Sequence, residues 1–199
     1  RRLLDRCTGS VVIPGVETCV VLSIAGYYSI LYARLNRGTG WRQRARHPGS
    51  LASFRLVYPL IISAITVAAI ASFWHIGPRL ESSPVLVVIG GAVAVAGTVL
   101  FSKAVNALAD SYSPCFDMRM PSNVVTTGPY RFVRHPIYVA NALVGLGILL
   151  MSMSLVVPVS VAAVCVYYAL AARSEERFCE QNVPGYLAYA ARTGRVFPR

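Results

Sequence analysis

Apolar residues in this chain gather into long, nearly uncharged blocks, and the charges crowd into the short segments between them. A helix that crosses the hydrocarbon core of a bilayer needs about 20 such residues. Blocks at about Val11 to Ala33, Phe54 to Ile76 and Pro84 to Val105 meet that requirement. Pro14 and Glu17 set the opening of the first block near an interface. Its length, without a clear small-residue cleavage site, reads as a membrane helix rather than a cleaved leader. The fourth block, Ile137 to Ala172, is too long for one crossing. As a single helix it would extend about 54 Å, against a hydrocarbon core of about 30 Å. The stretch Met151 to Pro158 holds the breakers Ser152, Ser154 and Pro158. The pattern therefore predicts an all-α fold, a polytopic membrane helix bundle of about five transmembrane helices. The last two form a tight hairpin, about residues 137–172, followed by a cytoplasmic C-terminal tail. Two parts are expected: residues 1–110 with three spans, and residues 111–199 with a loop, the hairpin and the tail.

Charge sets the orientation. Arg34, Arg37, Arg42, Arg44, Arg46 and Arg55 lie in one segment that has no acidic residue. The positive-inside bias puts that segment in the cytoplasm. The next loop holds only Arg79 and Glu81, and the hairpin turn is uncharged. Lys103 to Arg134, and the tail from Arg173 onward, then also face the cytoplasm, and the N-terminus falls on the far side. A net charge of +11 could otherwise indicate nucleic acid. Here the basic residues flank apolar runs, which fits membrane orientation and attraction to anionic headgroups, so no nucleic-acid partner is expected. With 55% apolar residues and a mean hydropathy of +0.56, the chain is too apolar for a soluble domain of its size. Cys7, Cys19, Cys115, Cys165 and Cys179 lie far apart and form no CxxC or Cys/His cluster. Neither a disulfide framework nor a bound metal is expected. Gly90, Ala94, Thr98 and Ser102 recur at four-residue spacing, which permits close approach of helices, here read as packing within the chain.

The chemistry concentrates in Thr126-Thr127-Gly128-Pro129-Tyr130-Arg131-Phe132-Val133-Arg134-His135-Pro136-Ile137-Tyr138 and in Arg173-Ser174-Glu175-Glu176-Arg177. The hairpin returns the chain to its starting side, so the carboxylates come close to His135. Adjacent helical residues point about 100° apart, so one glutamate is expected to face a ligand while the other pairs with Arg131, Arg134 or Arg173. By residue type alone, His135 also reads as a headgroup-level residue before a proline-started helix, and Tyr130 and Tyr138 as an interfacial aromatic belt. The earlier Arg46-His47-Pro48 echoes Arg134-His135-Pro136 without the surrounding aromatic residues and is read as structural. Phosphate loops, nucleophile elbows and metal-ligand spacings are absent.

The run Gly128-Pro129-Tyr130-Arg131-x-x-Arg134-His135-Pro136-x-Tyr138 resembles the hallmark of the isoprenylcysteine carboxyl methyltransferase and phospholipid methyltransferase superfamily. The tail adds to the resemblance with Glu175-Glu176, Tyr186, Tyr189, Arg195 and Pro198. The likeness covers about Val124 to Pro198. It implies an integral membrane methyltransferase that takes its methyl group from S-adenosylmethionine and delivers it to a lipophilic or amphipathic acceptor entering from the membrane. The matching cofactor positions are Val124, Val125, Tyr130, His135, Pro136, Tyr138 and Glu175, and the candidate catalytic residues are His135, Glu176 and Arg131. Residues 111–199 become the cofactor-binding core. Such a protein belongs in the cytoplasmic membrane of a bacterium or the endoplasmic reticulum of a eukaryote, with its active site facing the cytoplasm. Two departures bear on the acceptor. Pro184-Gly185 stands where the family has Phe-Gly, and Ala171 occupies a position at which the isoprenylcysteine branch keeps an arginine. The alternatives are an NADPH-dependent reductase of sterol-reductase-like architecture and a non-enzymatic membrane protein.

Overall fold

The computed structural model describes residues 22–24, 26, 27, 30, 80, 83–108, 123–155 and 157–199. The expected span at 54–76 and the basic segment 34–55 lie outside the described residues, as does most of the block 11–33, whose described positions are helical. Among the described residues the secondary structure is helical, without strands: α1 (Pro84–Leu108), a 3-10 turn (Gly128–Arg131), α2 (Pro136–Ser152), α3 (Val157–Asn182) and α4 (Tyr186–Arg192).

Local chemistry explains the boundaries. Ser83 caps α1, its Oγ accepting from Leu86 N at 3.3 Å, and Pro84 takes the first helical position, where a missing N–H is harmless. Pro136 opens α2 in the same way, with His135 as the residue before it. The apolar run 137–172 breaks after Ser152: Met153 turns into the left-handed region (φ 45°) and its N–H closes on Leu149 O at 2.9 Å. Pro158 sits in the first turn of α3. At the far end, Pro184 stops α3, and Gly185 at φ 81° makes the left-handed step into α4 that other residues take with strain. Helix α3 does not end with the apolar run at Ala172. It continues ten residues further to Asn182 and carries the glutamate pair on rigid helix rather than on a tail.

Helices α1 and α2 approach closely. A Cβ on Gly147 would stand 2.5 Å from the Gly90 carbonyl oxygen, so this contact admits glycine alone. The buried face of α1 is Gly90, Ala94, Gly97, Phe101, Ala104 and Val105. The four-residue ladder thus holds for its first two members and then shifts to Gly97. A four-residue step drifts about 40° per repeat from a 3.6-residue turn. Thr98 and Ser102 rotate off the contact and bond the carbonyls of Ala94 (2.9 Å) and Thr98 (2.7 Å). Helix α3 lies against α2 in the opposite direction, with Val161 near Gly145 and Tyr168 stacked on Tyr138. Helices α1 and α3 are long and apolar enough to cross a membrane; α2 is shorter and also apolar. Val85, Val88 and Val95 of α1, and Val159 and Val166 of α3, point outward. Outward valines on both long helices suit a lipid surface better than water.

Candidate functional site

The described charged side chains gather at one end of the bundle, where α2 begins, α3 ends and the C-terminal segment folds back. That segment is attached by backbone pairing: Arg134 N donates to Gly194 O (2.8 Å) and His135 N to Arg195 O (3.1 Å), around a parallel bridge between Val133 and Gly194. Tyr189 Oη donates to Tyr130 O at 2.7 Å and reinforces the attachment. Burial pushes the Tyr189 phenol up to about 12, so it remains a donor at neutral pH.

Glu176 is the centre of the arrangement. Its side chain is 5% exposed, and both oxygens are engaged. Oε1 receives Arg134 Nε at 2.9 Å and His135 Nε2 at 3.0 Å. Oε2 receives Arg195 Nε at 2.9 Å and Arg195 Nη2. Hydrogen bonding to Glu176 in turn raises the Arg195 guanidinium above its ordinary value. Arg134 extends the network, its Nη1 donating to Ala190 O and Thr193 O at the end of α4. A carboxylate between two guanidinium groups only accepts, so the proton of the His135 contact sits on Nε2.

Glu175 has a different environment. Its side chain is 27% exposed. Oε1 accepts from Tyr138 Oη at 2.7 Å, and Oε2 lies 3.6 Å from His135 Nδ1. Both carboxylates therefore address one imidazole, although adjacent positions on a helix diverge by about 100°. The reason is that the two ring nitrogens lie on opposite edges of the ring. The rings of His135 and Tyr138 are parallel at 5.2 Å, and Tyr138 stacks on Tyr168 at 4.4 Å.

The structure thus joins His135, Tyr138, Glu175 and Glu176 in one cluster. Pro136 is buried beside it as the start of α2, and Tyr130 is buried in the 3-10 turn. Val124 and Val125 are half-buried in the extended approach to that turn. Arg131 is elsewhere: it is exposed, its guanidinium 4.9 Å over the Phe132 ring. Arg173 is exposed as well, so of the three arginines considered for the glutamates only Arg134 serves. Arg195 takes a second share that spacing could not foresee, because the tail's fold-back brings it there. Asn141 and Tyr168, hydrogen-bonded at 2.8 Å, are further polar members that the sequence reading passed over. The available signal was an amide inside an otherwise apolar helix, three residues after Tyr138.

A model of the phospholipid methyltransferase family matches residues 85–183, from α1 to the end of α3. The chain belongs to this family. The match contains His135, Tyr138, Glu175 and Glu176 and stops short of Tyr189 and Arg195. Two curated proteins are also similar. The nickel-cobalt-cadmium resistance protein NccN of Alcaligenes xylosoxydans xylosoxydans is 41% identical over 83 residues, 41% of this chain and 38% of the relative. The cobalt-zinc-cadmium resistance protein CzcN of Cupriavidus metallidurans is 42% identical over 82 residues, again 41% of this chain and 38% of the relative. The matched stretch is therefore well under half the length of either.

Proposed function

We propose that the protein is an integral membrane methyltransferase that uses S-adenosylmethionine and acts on a lipophilic or amphipathic acceptor. The observation that carries this reading is the division of labour between two neighbouring carboxylates. Glu176 is consumed by Arg134, His135 and Arg195, whereas Glu175 is partly open beside the parallel rings of His135 and Tyr138. A partly exposed carboxylate at the polar edges of two rings fits a ligand that carries an ammonium and ribose hydroxyls. When bound, this cofactor supplies a methyl group on a sulfonium, and the difficult chemistry is its own.

The chain's residues bind, align and exclude water. Glu175 holds the ammonium or ribose of the cofactor; His135, Tyr138, Tyr130, Pro136, Val124 and Val125 shape its pocket. Glu176 acts as the anchor that sets the imidazole's position and tautomer, since its oxygens are already saturated with donors. A thiolate or carboxylate acceptor needs no base. An amine acceptor would pass its proton to His135 Nδ1, the nitrogen facing the open side. Arg131, exposed over Phe132, has no part in this arrangement and serves at the headgroup level. The bundle is multi-pass with its charged end toward the cytoplasm, in keeping with the crowding of arginines there. Because the family match begins at residue 85 and α1 lies along α2, the methyltransferase core starts with α1, preceded by the two earlier expected spans.

The test is a melting experiment on the purified protein in detergent. S-adenosylhomocysteine should raise the melting temperature by binding the folded state, and NADPH should not. A shift with NADPH and none with S-adenosylhomocysteine would replace this reading with the reductase. The resistance named in the relatives supplies a cellular score: loss of growth on cobalt or cadmium in a deletion host, restored by the wild-type gene and not by Glu175→Gln.

A further inference from the structure

The pairing that attaches the C-terminal segment also fixes its height. Gly194 and Arg195 lie beside Arg134 and His135, the residues immediately before α2 begins at Pro136. The segment is therefore held where α2 leaves the charged end for the apolar layer, at the depth of lipid headgroups. The end of the chain is clamped there. Arg199 Nη1 donates to Ala191 O of α4 at 2.8 Å, and the Phe197 carbonyl folds against Gly194 with no room for a Cβ. This clamped turn nevertheless presents Phe197 at 80% exposure. Leu187 of α4 is exposed as well, and so is Phe132, which follows the 3-10 turn that Tyr189 ties to α4.

Single exposed apolar side chains are ordinary, but three on elements tied to one another mark a membrane or protein contact. Charge selects the partner. Arg131, Arg173, Arg177, Arg192 and Arg199 are exposed at this end, and Glu180 is the exposed acid among the described residues. The full chain carries a net charge of +11. Apolar side chains among arginines at headgroup depth complement an anionic leaflet: phenylalanine and leucine reach the acyl boundary, and guanidinium groups meet lipid phosphate. We infer that this surface of the C-terminal segment rests on an anionic lipid leaflet, and that the leaflet keeps the fold-back closed on Glu176. The link from surface to site is short, because Arg195 Nε reaches Glu176 Oε2 at 2.9 Å and Val196 and Phe197 follow it directly. The inference rests on the membrane part of the proposed function and makes no use of the cofactor.

The experiment uses the full chain in nanodiscs of phosphatidylcholine alone and of phosphatidylcholine with phosphatidylglycerol. Phe197→Trp reports lipid contact through quenching by brominated acyl chains, and the wild type supplies the background from Trp41 and Trp74. Hydrogen exchange of the Arg134 and His135 amides in the wild type reports release of the fold-back, because their acceptors lie on it. The Met153 amide, at the opposite end, is the control. One arginine at an anionic surface contributes about fivefold to adherence. The Phe197→Trp signal should be quenched more in the anionic disc than in the neutral one. Exchange at Arg134 and His135 should slow about tenfold, between the value of one such arginine and of two, with Met153 unchanged. Added salt should reverse both effects. Arg131→Gln combined with Arg192→Gln lies outside the hydrogen bonds named above and should return both readouts to near their neutral-disc values.

Equal quenching in the two discs overturns the inference. So does unchanged exchange at Arg134 and His135, or a double variant that matches the wild type in the anionic disc. A Phe197→Trp signal that stays unquenched in both discs leaves the surface to a soluble partner and overturns it as well. A chain that separates from the discs in size exclusion removes the membrane reading itself. Failure of S-adenosylhomocysteine to bind bears on the methyltransferase reading alone.

Discussion

The two ends of this bundle are built on different physics. At one end α1 and α2 meet through backbone: Gly90 and Gly147 touch, and Leu80 N donates to Met153 O at 3.0 Å. That end has no charged side chain among the described residues. At the other end α2, α3 and the C-terminal segment meet through side-chain charge gathered on Glu176. The first contact depends on volume and tolerates no added atom. The second depends on pairing and tolerates shape changes so long as each charge keeps a partner. The contrast separates scaffold from proposed site: a glycine contact holds helices at a fixed distance, and the charged end carries the groups proposed to bind the cofactor.

The sharpest way to break the comparison is at the uncharged end. Gly147→Val should prevent α1 from docking, because the Gly90 carbonyl cannot move aside as a flexible side chain would. Overpacking of this kind costs about 3 kcal/mol or more, enough to abolish a cooperative melt. Gly91→Ala, one residue from Gly90, meets only Met151 Sδ at 3.9 Å and should stabilise α1 slightly through helix propensity. Equal melting behaviour of the two variants would show that the close approach is not structural.

At the charged end, Glu176→Ala leaves Arg134 and His135 buried without their acceptor. Removing one member of a buried ion pair costs about 3–5 kcal/mol; the cost here belongs in the lower part of that range because Arg195 is 45% exposed. Chemical denaturation measures it, and a loss below that of Arg195→Ala would show that Glu176 is not the hub. Glu175→Gln should leave stability nearly unchanged and weaken S-adenosylhomocysteine by about tenfold to a hundredfold, the value of a charge-assisted hydrogen bond. Calorimetry distinguishes this from a structural role, which would lower the melting temperature of the ligand-free protein as well. A smaller effect belongs to Arg195→Ala, about 0.5–1 kcal/mol for a partly solvated arginine, and this loss should shrink with added salt. Arg131→Ala should be silent in both assays, since Arg131 is exposed with its guanidinium over the Phe132 ring. Loss of ligand binding there would restore it to the catalytic set.

Much of this site was legible because its residues advertise themselves. His135 and Tyr138 stand on either side of a proline that begins a helix, and two glutamates follow an apolar run, so local patterning already places these groups at one end of the bundle. The third expected span was readable as an apolar run with Lys103 as its one charge, and the break after Ser152 followed from serine and proline. The partner of Glu176 was less accessible. Three arginines were near enough in the sequence to compete, and only the fold shows that Arg134 turns inward while Arg131 lies over Phe132. The shift of the helix contact from Thr98 to Gly97 was likewise invisible to a fixed four-residue spacing, because a helix turn is not four residues long.

Sequence by itself determined which described segments avoid water, where α1 and α2 begin and where the long apolar run breaks, and that charge gathers at one end. Those properties come from transfer free energy, capping and proline geometry, which act over a few residues and can be read locally. Tertiary structure decided how the two neighbouring glutamates differ. Identical in kind, they part company because α3 runs on past Ala172 as a rigid helix and the C-terminal segment folds back beside it. The fold-back adds Arg195 to Arg134 and His135 around Glu176 and leaves Glu175 partly exposed, held by the Tyr138 hydroxyl and close to His135 Nδ1. Such a difference depends on contacts between residues as far apart as 134 and 194, and no local pattern encodes it.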